Sequence, residues 1–275
     1  MQDVAGLSER DLARVRGRLV EFAGEMFCSM GRKDQRAWGE VYLRGLMLDG
    51  KRKSIEPMAA RLADGDEQCL QQFVNQSPWD WVAVRKTLAR RMSSEIGPEA
   101  WVIDDTGFPK FGKHSVGVAR QYSGSLGKVG NCQVAVSVNA ATDEASCPLD
   151  WRLFIPKEWD EGSEFNQERR AKAGLPEDLH HVEKWRLALE VIDELIGWGI
   201  DAPVVLGDGA YGENTQFRQG LDDRGISWVL DVKHTTSAYP EHVKPEKPEY
   251  QGRGQPPKSR YREDPSSLLD LALAA

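Results

Sequence analysis

Two apolar runs in this sequence end in acid. Trp101-Val102-Ile103 leads into Asp104-Asp105-Thr106-Gly107, and Val204-Val205-Leu206 leads into Gly207-Asp208-Gly209-Ala210-Tyr211-Gly212. Short apolar runs bounded by turn residues read as buried strands. Carboxylates where a buried strand surfaces are costly unless paired, hydrogen-bonded or holding a metal. Open α/β sheets bind ligands at the carboxyl ends of their strands. The chemistry within reach is therefore a metal or phosphate site. Converging carboxylates hold Mg²⁺ through hard oxygen ligands, and two such ions ~3.5–4 Å apart activate water for phosphodiester cleavage. Such a pair of ions needs at least three acids for charge balance; Asp104, Asp105 and Asp208 begin the set. The plain alternatives are a turn at Asp104-Asp105-Thr106-Gly107 and a helix cap at Asp208. Two acid-tipped strands in one chain favour the site.

A basic stretch follows the first acids. Lys110, Lys113, His114, Arg120 and Lys128 punctuate a Gly- and Ser-containing run to Gly130. It reads as a flexible cationic loop facing a phosphate-rich substrate, or as an exposed hairpin with solubilising lysines. His180-His181 has no matching ligands nearby in sequence and reads as surface rather than metal centre.

Elements must carry these groups. Cys132 to Val138 and Leu149 to Ile155 read as strands, which with 101–105 make an antiparallel meander. Val182 to Trp198 is an amphipathic helix with Trp185, Leu189, Ile192, Leu195 and Ile196 on one face. It crosses over to the strand ending at Asp208, which fits a parallel unit placing Asp208 beside Asp104 and Asp105 at one sheet edge. Asn214 to Leu221 is a further helix and Ile226 to Val232 a further strand. Gly207 and Gly209 are expected to turn the chain sharply and admit a ligand.

Upstream, residues 1–98 read as helical: Leu12 to Phe27 after a capping Ser8, Arg36 to Leu48, Ser54 to Leu62, Glu67 to Val74 and Trp81 to Met92. Helix-turn-helix DNA binder and plain helical bundle both fit. Lys51-Arg52-Lys53 and Arg85-Lys86 with Arg90-Arg91 read as phosphate contacts or as solvated helix faces. Downstream, residues 244–275 read as a basic Pro/Gly-rich linker and the start of a helix. The expected domains are 1–98, 99–243 and 244–275, in an α+β, mixed fold.

The composition is that of an ordinary globular chain. Of 275 residues 43 are acidic and 36 basic, for a net charge of -7, so nucleic-acid binding would rest on local basic patches. No apolar run approaches the ~18 residues of a membrane span. Met1 to Glu9 lacks a secretion signal. Cys28, Cys69, Cys132 and Cys147 form no C-x-x-C pair and suit free thiols in a cytoplasmic protein.

The run Val102 to Lys110, with His114 to Tyr122, Gly127 to Gln133, Trp151 to Trp159, the Asp208 segment and Trp79-Asp80, resembles the DDE-type transposases of bacterial insertion sequences. The likeness is to the DDE superfamily endonucleases and runs from about residue 15 to the end. It implies a ribonuclease-H-like core that binds two Mg²⁺, cuts transposon ends by water attack and joins the 3′ ends to target DNA. It further implies double-stranded DNA as partner, a homodimer on that DNA, and a cytoplasmic, nucleoid-associated protein. The first catalytic acid and metal ligand falls in the Asp104-Asp105 pair. Asp105 is preferred because related enzymes place Asp before Thr; Asp104 stays a candidate. The second is Asp208. The third, a Glu on a later helix, is matched by none of Glu241, Glu246, Glu249 or Glu263, so the core reads as incomplete and the catalytic set as truncated. Lys110, Lys113, Arg120, Lys128, Arg52 and Lys53 are the expected DNA contacts. Two other readings stand beside it. One is a non-catalytic transposon-end binder or repressor. The other is a haloacid-dehalogenase-like phosphatase, which Thr106 disfavours because that family wants Asp there.

Overall fold

The structure is a computed structural model, and it describes residues 8–250, 252, 255 and 257–274. The stretch Met1 to Glu9, read as lacking a secretion signal, falls up to residue 7 outside the described residues; so do 251, 253, 254, 256 and 275 of the C-terminal stretch. The chain divides into two compact units, Met1–Glu95 and Ile96–Ala275.

The first unit is all helix: α1 (Glu9–Met26), α2 (Lys33–Met47), α3 (Ile55–Ala59), α4 (Glu67–Asn75) and α5 (Trp81–Ile96). Ser8 caps α1 by accepting the Asp11 amide, and Asp66 caps α4 by accepting the Cys69 amide, as small polar residues do at helix starts. Ala23, Met26, Phe27, Met30 and Phe73 form its core, with Trp38, Tyr42 and Trp79 packed around it. The rings of Phe27, Phe73 and Trp79 meet at 4.6–5.9 Å between centroids, and the Trp79 indole N–H is satisfied by the Phe73 carbonyl. Aromatic packing therefore holds five short helices that are individually marginal. Several of the basic residues serve this unit itself. Arg85 is buried over the Trp81 ring, and Arg91 pairs with Glu95 and Glu25.

The second unit is built on a six-stranded mixed sheet: β1 (Ala100–Pro109), β2 (Ala119–Ser123), β3 (Lys128–Ala141), β4 (Ser146–Leu153), β5 (Val204–Gly207) and β6 (Ser227–Leu230). The order is β2-β3-β1-β5-β6, and β4 also pairs with β3. The meander of β1, β3 and β4 is antiparallel. β1, β5 and β6 run parallel. The basic stretch after the first acids is more ordered than a flexible loop: Ala119–Ser123 pairs with Lys128–Cys132 as a hairpin. The surrounding Gly and Ser hid that β-strand in the sequence.

The helices of this unit are α6 (Glu164–Lys172), which packs on the turn at Lys157–Trp159, and α7 (Lys184–Gly197), α8 (Gly209–Gly212) and α9 (Thr215–Asp222), which pack on the sheet. α7 packs on β3 and β4 and touches α9. It buries Leu187, Ala188, Leu189, Val191, Ile192 and Leu195; Ile196, expected on that face, is exposed. Arg152 ties β4 to this helix by bridging buried Asp150 and Glu194. The opposite face of the sheet carries Phe108, Trp151, Leu153 and Val229 exposed. The C-terminal stretch is less loose than a linker. β7 (Ser237–Ala238) pairs with β8 (Ser266–Ser267), Glu246 bridges to Arg260, and Tyr239 stacks on Tyr261 at 3.7 Å, before α10 (Leu268–Ala274).

This packing sets two expected outcomes. Leu195→Ala empties a fully buried site and is expected to cost about 2–5 kcal/mol in urea unfolding. Gly212→Ala would drive its Cβ into the Asp231 carbonyl oxygen. It is expected to lower stability by about 1–3 kcal/mol despite the better helix former, and a neutral melt would show that α8 and the end of β6 can part without cost.

Candidate active site

The acids owe their placement to strand register. Ile103 pairs with Gly207, and Gly207 pairs with Leu230, in parallel ladders. The residue after each is an acid: Asp104, Asp208 and Asp231. Neighbouring strands lie about 4.8 Å apart, so three carboxylates stand side by side at three strand ends. Asp104, Asp208 and Asp231 line one open pocket of about 540 Å³ with Val102, Ile103, Leu206, Gly207, Val229 and Leu230.

Side-chain alternation then splits the first pair. Trp101 and Ile103 are buried, and Asp105 belongs to their face of β1, whereas Asp104 is exposed on the other. The Asp105 carboxylate is fully engaged. Its Oδ2 accepts from Lys184 Nζ at 2.6 Å and its Oδ1 from the Tyr211 hydroxyl at 2.6 Å. Lys184 opens α7 and also sits 5.1 Å from the Phe154 ring centroid. Tyr211 is 2% exposed. Burial, first, and then the Asp105 carboxylate hold its hydroxyl far above the usual phenol range, so it stays a donor. A hydrogen bond to a charged acceptor contributes ~1.5–3 kcal/mol.

Among the described residues, the side chains of Asp104 and Asp208 are engaged by local backbone alone. Asp104 Oδ1 accepts the Asp105 amide at 2.7 Å. Asp208 caps α8 by accepting the Ala210 amide at 3.0 Å. The helix-cap reading of Asp208 thus holds and occupies one oxygen. Among the described residues no Lys, Arg or His forms an ion pair with Asp104, Asp208 or Asp231. Repulsion between two exposed carboxylates one strand spacing (~5 Å) apart is about 1 kcal/mol in a water-like dielectric, so the fold carries them without a counter-charge. Neither Gly207 nor Gly209 has a positive φ, so the passage from β5 into α8 does not draw on glycine's left-handed freedom. What Gly207 supplies is space, since a Cβ would come 3.0 Å from Leu230 Cδ2.

Two uncompensated oxygen donors on adjacent strand ends suit a hard divalent cation. The residues present therefore fit Mg²⁺, as an open wall rather than a cage. Among the described residues no group of three His, Cys, Asp or Glu closes on one ion. Glu241, Glu246, Glu249 and Glu263 are not among the lining residues. His180 is near Asp160, and His181 Nδ1 meets the Ile155 carbonyl at 2.7 Å, both serving local structure.

Lys110, Lys113, Arg120 and Lys128 are all exposed. Arg120 pairs with Asn131, whose carbonyl accepts the Lys110 amide and whose side chain donates to the Lys110 and Gly112 carbonyls. Lys110 and Arg120 thus flank one residue of β3. Arg52 and Lys53, in the other unit, are exposed too, and Lys53 also meets the Leu48 carbonyl. Sequence reasoning missed Asp231, Lys184 and Tyr211. Asp231 had a signal, an apolar strand ending in acid; the other two had none.

Comparison with known proteins identifies the family. A family model described as DDE superfamily endonuclease matches residues 25–275. A probable transposase for insertion sequence element IS701 from Microchaete diplosiphon is 30% identical over 193 residues, 69% of this chain and 47% of that relative. The matched region spans about half the length of that relative. The six-stranded mixed sheet with its flanking helices is consistent with the ribonuclease-H-like fold of such enzymes. The chain belongs to the DDE superfamily endonucleases.

Proposed function

We propose that this chain carries the first two catalytic acids of an insertion-sequence transposase, and that those acids are Asp104 and Asp208. The observation that carries this reading is the parallel register that sets the two side by side in one open pocket without a cationic partner. Asp105, favoured by its place before Thr106, lies on the other face with both oxygens taken by Lys184 and Tyr211. A carboxylate already neutralised by an ammonium is a poor ligand for a dication, because the two positive charges repel.

Asp104 and Asp208 would hold the Mg²⁺, and the bound ions supply an activated water and charge neutralisation at the scissile phosphate. The chain's own work is to keep both carboxylates ionised, uncompensated and aligned. Asp231 adds negative potential to the same wall. The partner is double-stranded DNA, met through phosphates by Lys110, Lys113, Arg120 and Lys128, with Arg52 and Lys53 as contacts on the helical unit. The net charge of -7 confines any such contact to these local patches. A transposon-end binder without cleavage is the second reading, favoured because no glutamate is among the residues that line the pocket.

Mn²⁺, read by the loss of its free-ion electron paramagnetic resonance signal, tests the acids. Asp104→Asn and Asp208→Asn are each expected to weaken binding at least tenfold. Unchanged affinity in Asp104→Asn would remove it from the site. Binding to duplex DNA carrying transposon ends, titrated with salt, tests the basic row. Lys110→Ala with Arg120→Ala is expected to reduce the slope of log affinity on log salt by about 2, at roughly 0.9 for each phosphate no longer neutralised. Cleavage of that DNA by this chain would exclude the binder-only reading.

A further inference from the structure

We propose that Lys184 and Tyr211 are positioning residues for the acid pair, acting through Asp105 as a tether rather than through the metal. The proposal rests on the reading of Asp104 and Asp208 as ligands. Three elements meet at the Asp105 carboxylate. Asp105 belongs to β1, one residue past Asp104. Lys184 begins α7, and Tyr211 lies in α8, three residues past Asp208. Both contacts measure 2.6 Å and each uses a different oxygen.

The geometry makes this a brace across the site. Asp208 caps the short helix that contains Tyr211. The Tyr211 hydroxyl therefore fixes the turn carrying the second acid to the strand carrying the first. Tyr211 is locked in turn by burial and by the Phe217 ring at 5.4 Å. Lys184 is held between Asp105 and the face of Phe154, whose ring meets His181 edge-on at 5.4 Å. With its ammonium so occupied, Lys184 is not a free phosphate contact. The pull of both donors on Asp105 keeps its side chain on the α7 face, which by alternation keeps Asp104 on the pocket face. Partners that orient ligands without touching the ion typically change metal affinity 10–100-fold when removed.

The experiment uses the full chain and two readouts. Tyr211→Phe and Lys184→Met are compared with Lys184→Arg, which keeps the charge, and with Asp105→Asn. Mn²⁺ affinity is measured by electron paramagnetic resonance, and amide exchange over Asp208–Gly212 is measured in metal-free protein. Tyr211→Phe and Lys184→Met are expected to weaken Mn²⁺ binding about tenfold and to speed exchange in that segment, with the far-ultraviolet circular dichroism unchanged. Lys184→Arg is expected to recover most of the affinity. Unaltered affinity in both variants would overturn the proposal, as would Asp105→Asn abolishing binding as fully as Asp104→Asn. Absence of Mn²⁺ binding in the unsubstituted chain would instead refute the metal reading, and the metal-free exchange still decides the tether: unchanged exchange in Tyr211→Phe means there is none. A variant that fails to fold, shown by its circular dichroism, is replaced by Lys184→Gln, at the more exposed end of the brace, and judged by the same two outcomes.

Discussion

The whole site hangs on the register of three parallel strands. Sliding β1 by one residue against β5 would turn every side chain of β1 to the opposite face. Trp101 and Ile103, both fully buried, would then face the pocket, and the acid beside Asp208 would change. Burial of those two side chains opposes that slip at roughly 1.5–3 kcal/mol each. The hydrophobic core is thus what decides which carboxylate meets the pocket. The chemistry at the strand ends is a consequence of apolar packing one residue earlier.

Charge is distributed across the sheet in a matching way. On the α7 side, the Asp105 carboxylate finds an ammonium and a hydroxyl, which is what a half-buried carboxylate requires. On the open side, Asp104, Asp208 and Asp231 stay exposed, and none forms an ion pair among the described residues. Water meets their solvation needs at little cost. One adjacent pair of identical residues therefore performs two tasks, structural inside and electrostatic outside. The difference comes from the two-residue period of the strand and not from residue type.

Much of this was legible in the sequence, because it depended on local pattern. Apolar runs located β1, β5 and β6, the amphipathic spacing located α7, and Ser8 announced the start of α1. The adjacency of Asp208 to the first pair followed from a strand–helix–strand crossover. Three things did not. The hairpin strand Ala119–Ser123 lacks a β-branched residue and is a strand only because it pairs with β3. Lys184 and Tyr211 contact Asp105 from 79 and 106 residues away, and a lysine or tyrosine in a helix carries no mark of such a partner. The choice between Asp104 and Asp105 needs the face of the strand, which the two-residue period fixes only once Trp101 and Ile103 are known to be buried.

The most direct test of the account is anomalous diffraction from crystals of the chain soaked in Mn²⁺. A peak between the Asp104 and Asp208 carboxylates, with metal–oxygen distances of about 2.0–2.2 Å, is the predicted result. A peak on Asp105, with the Lys184 ammonium displaced, would contradict it, as would well-diffracting crystals with no peak at the three strand ends.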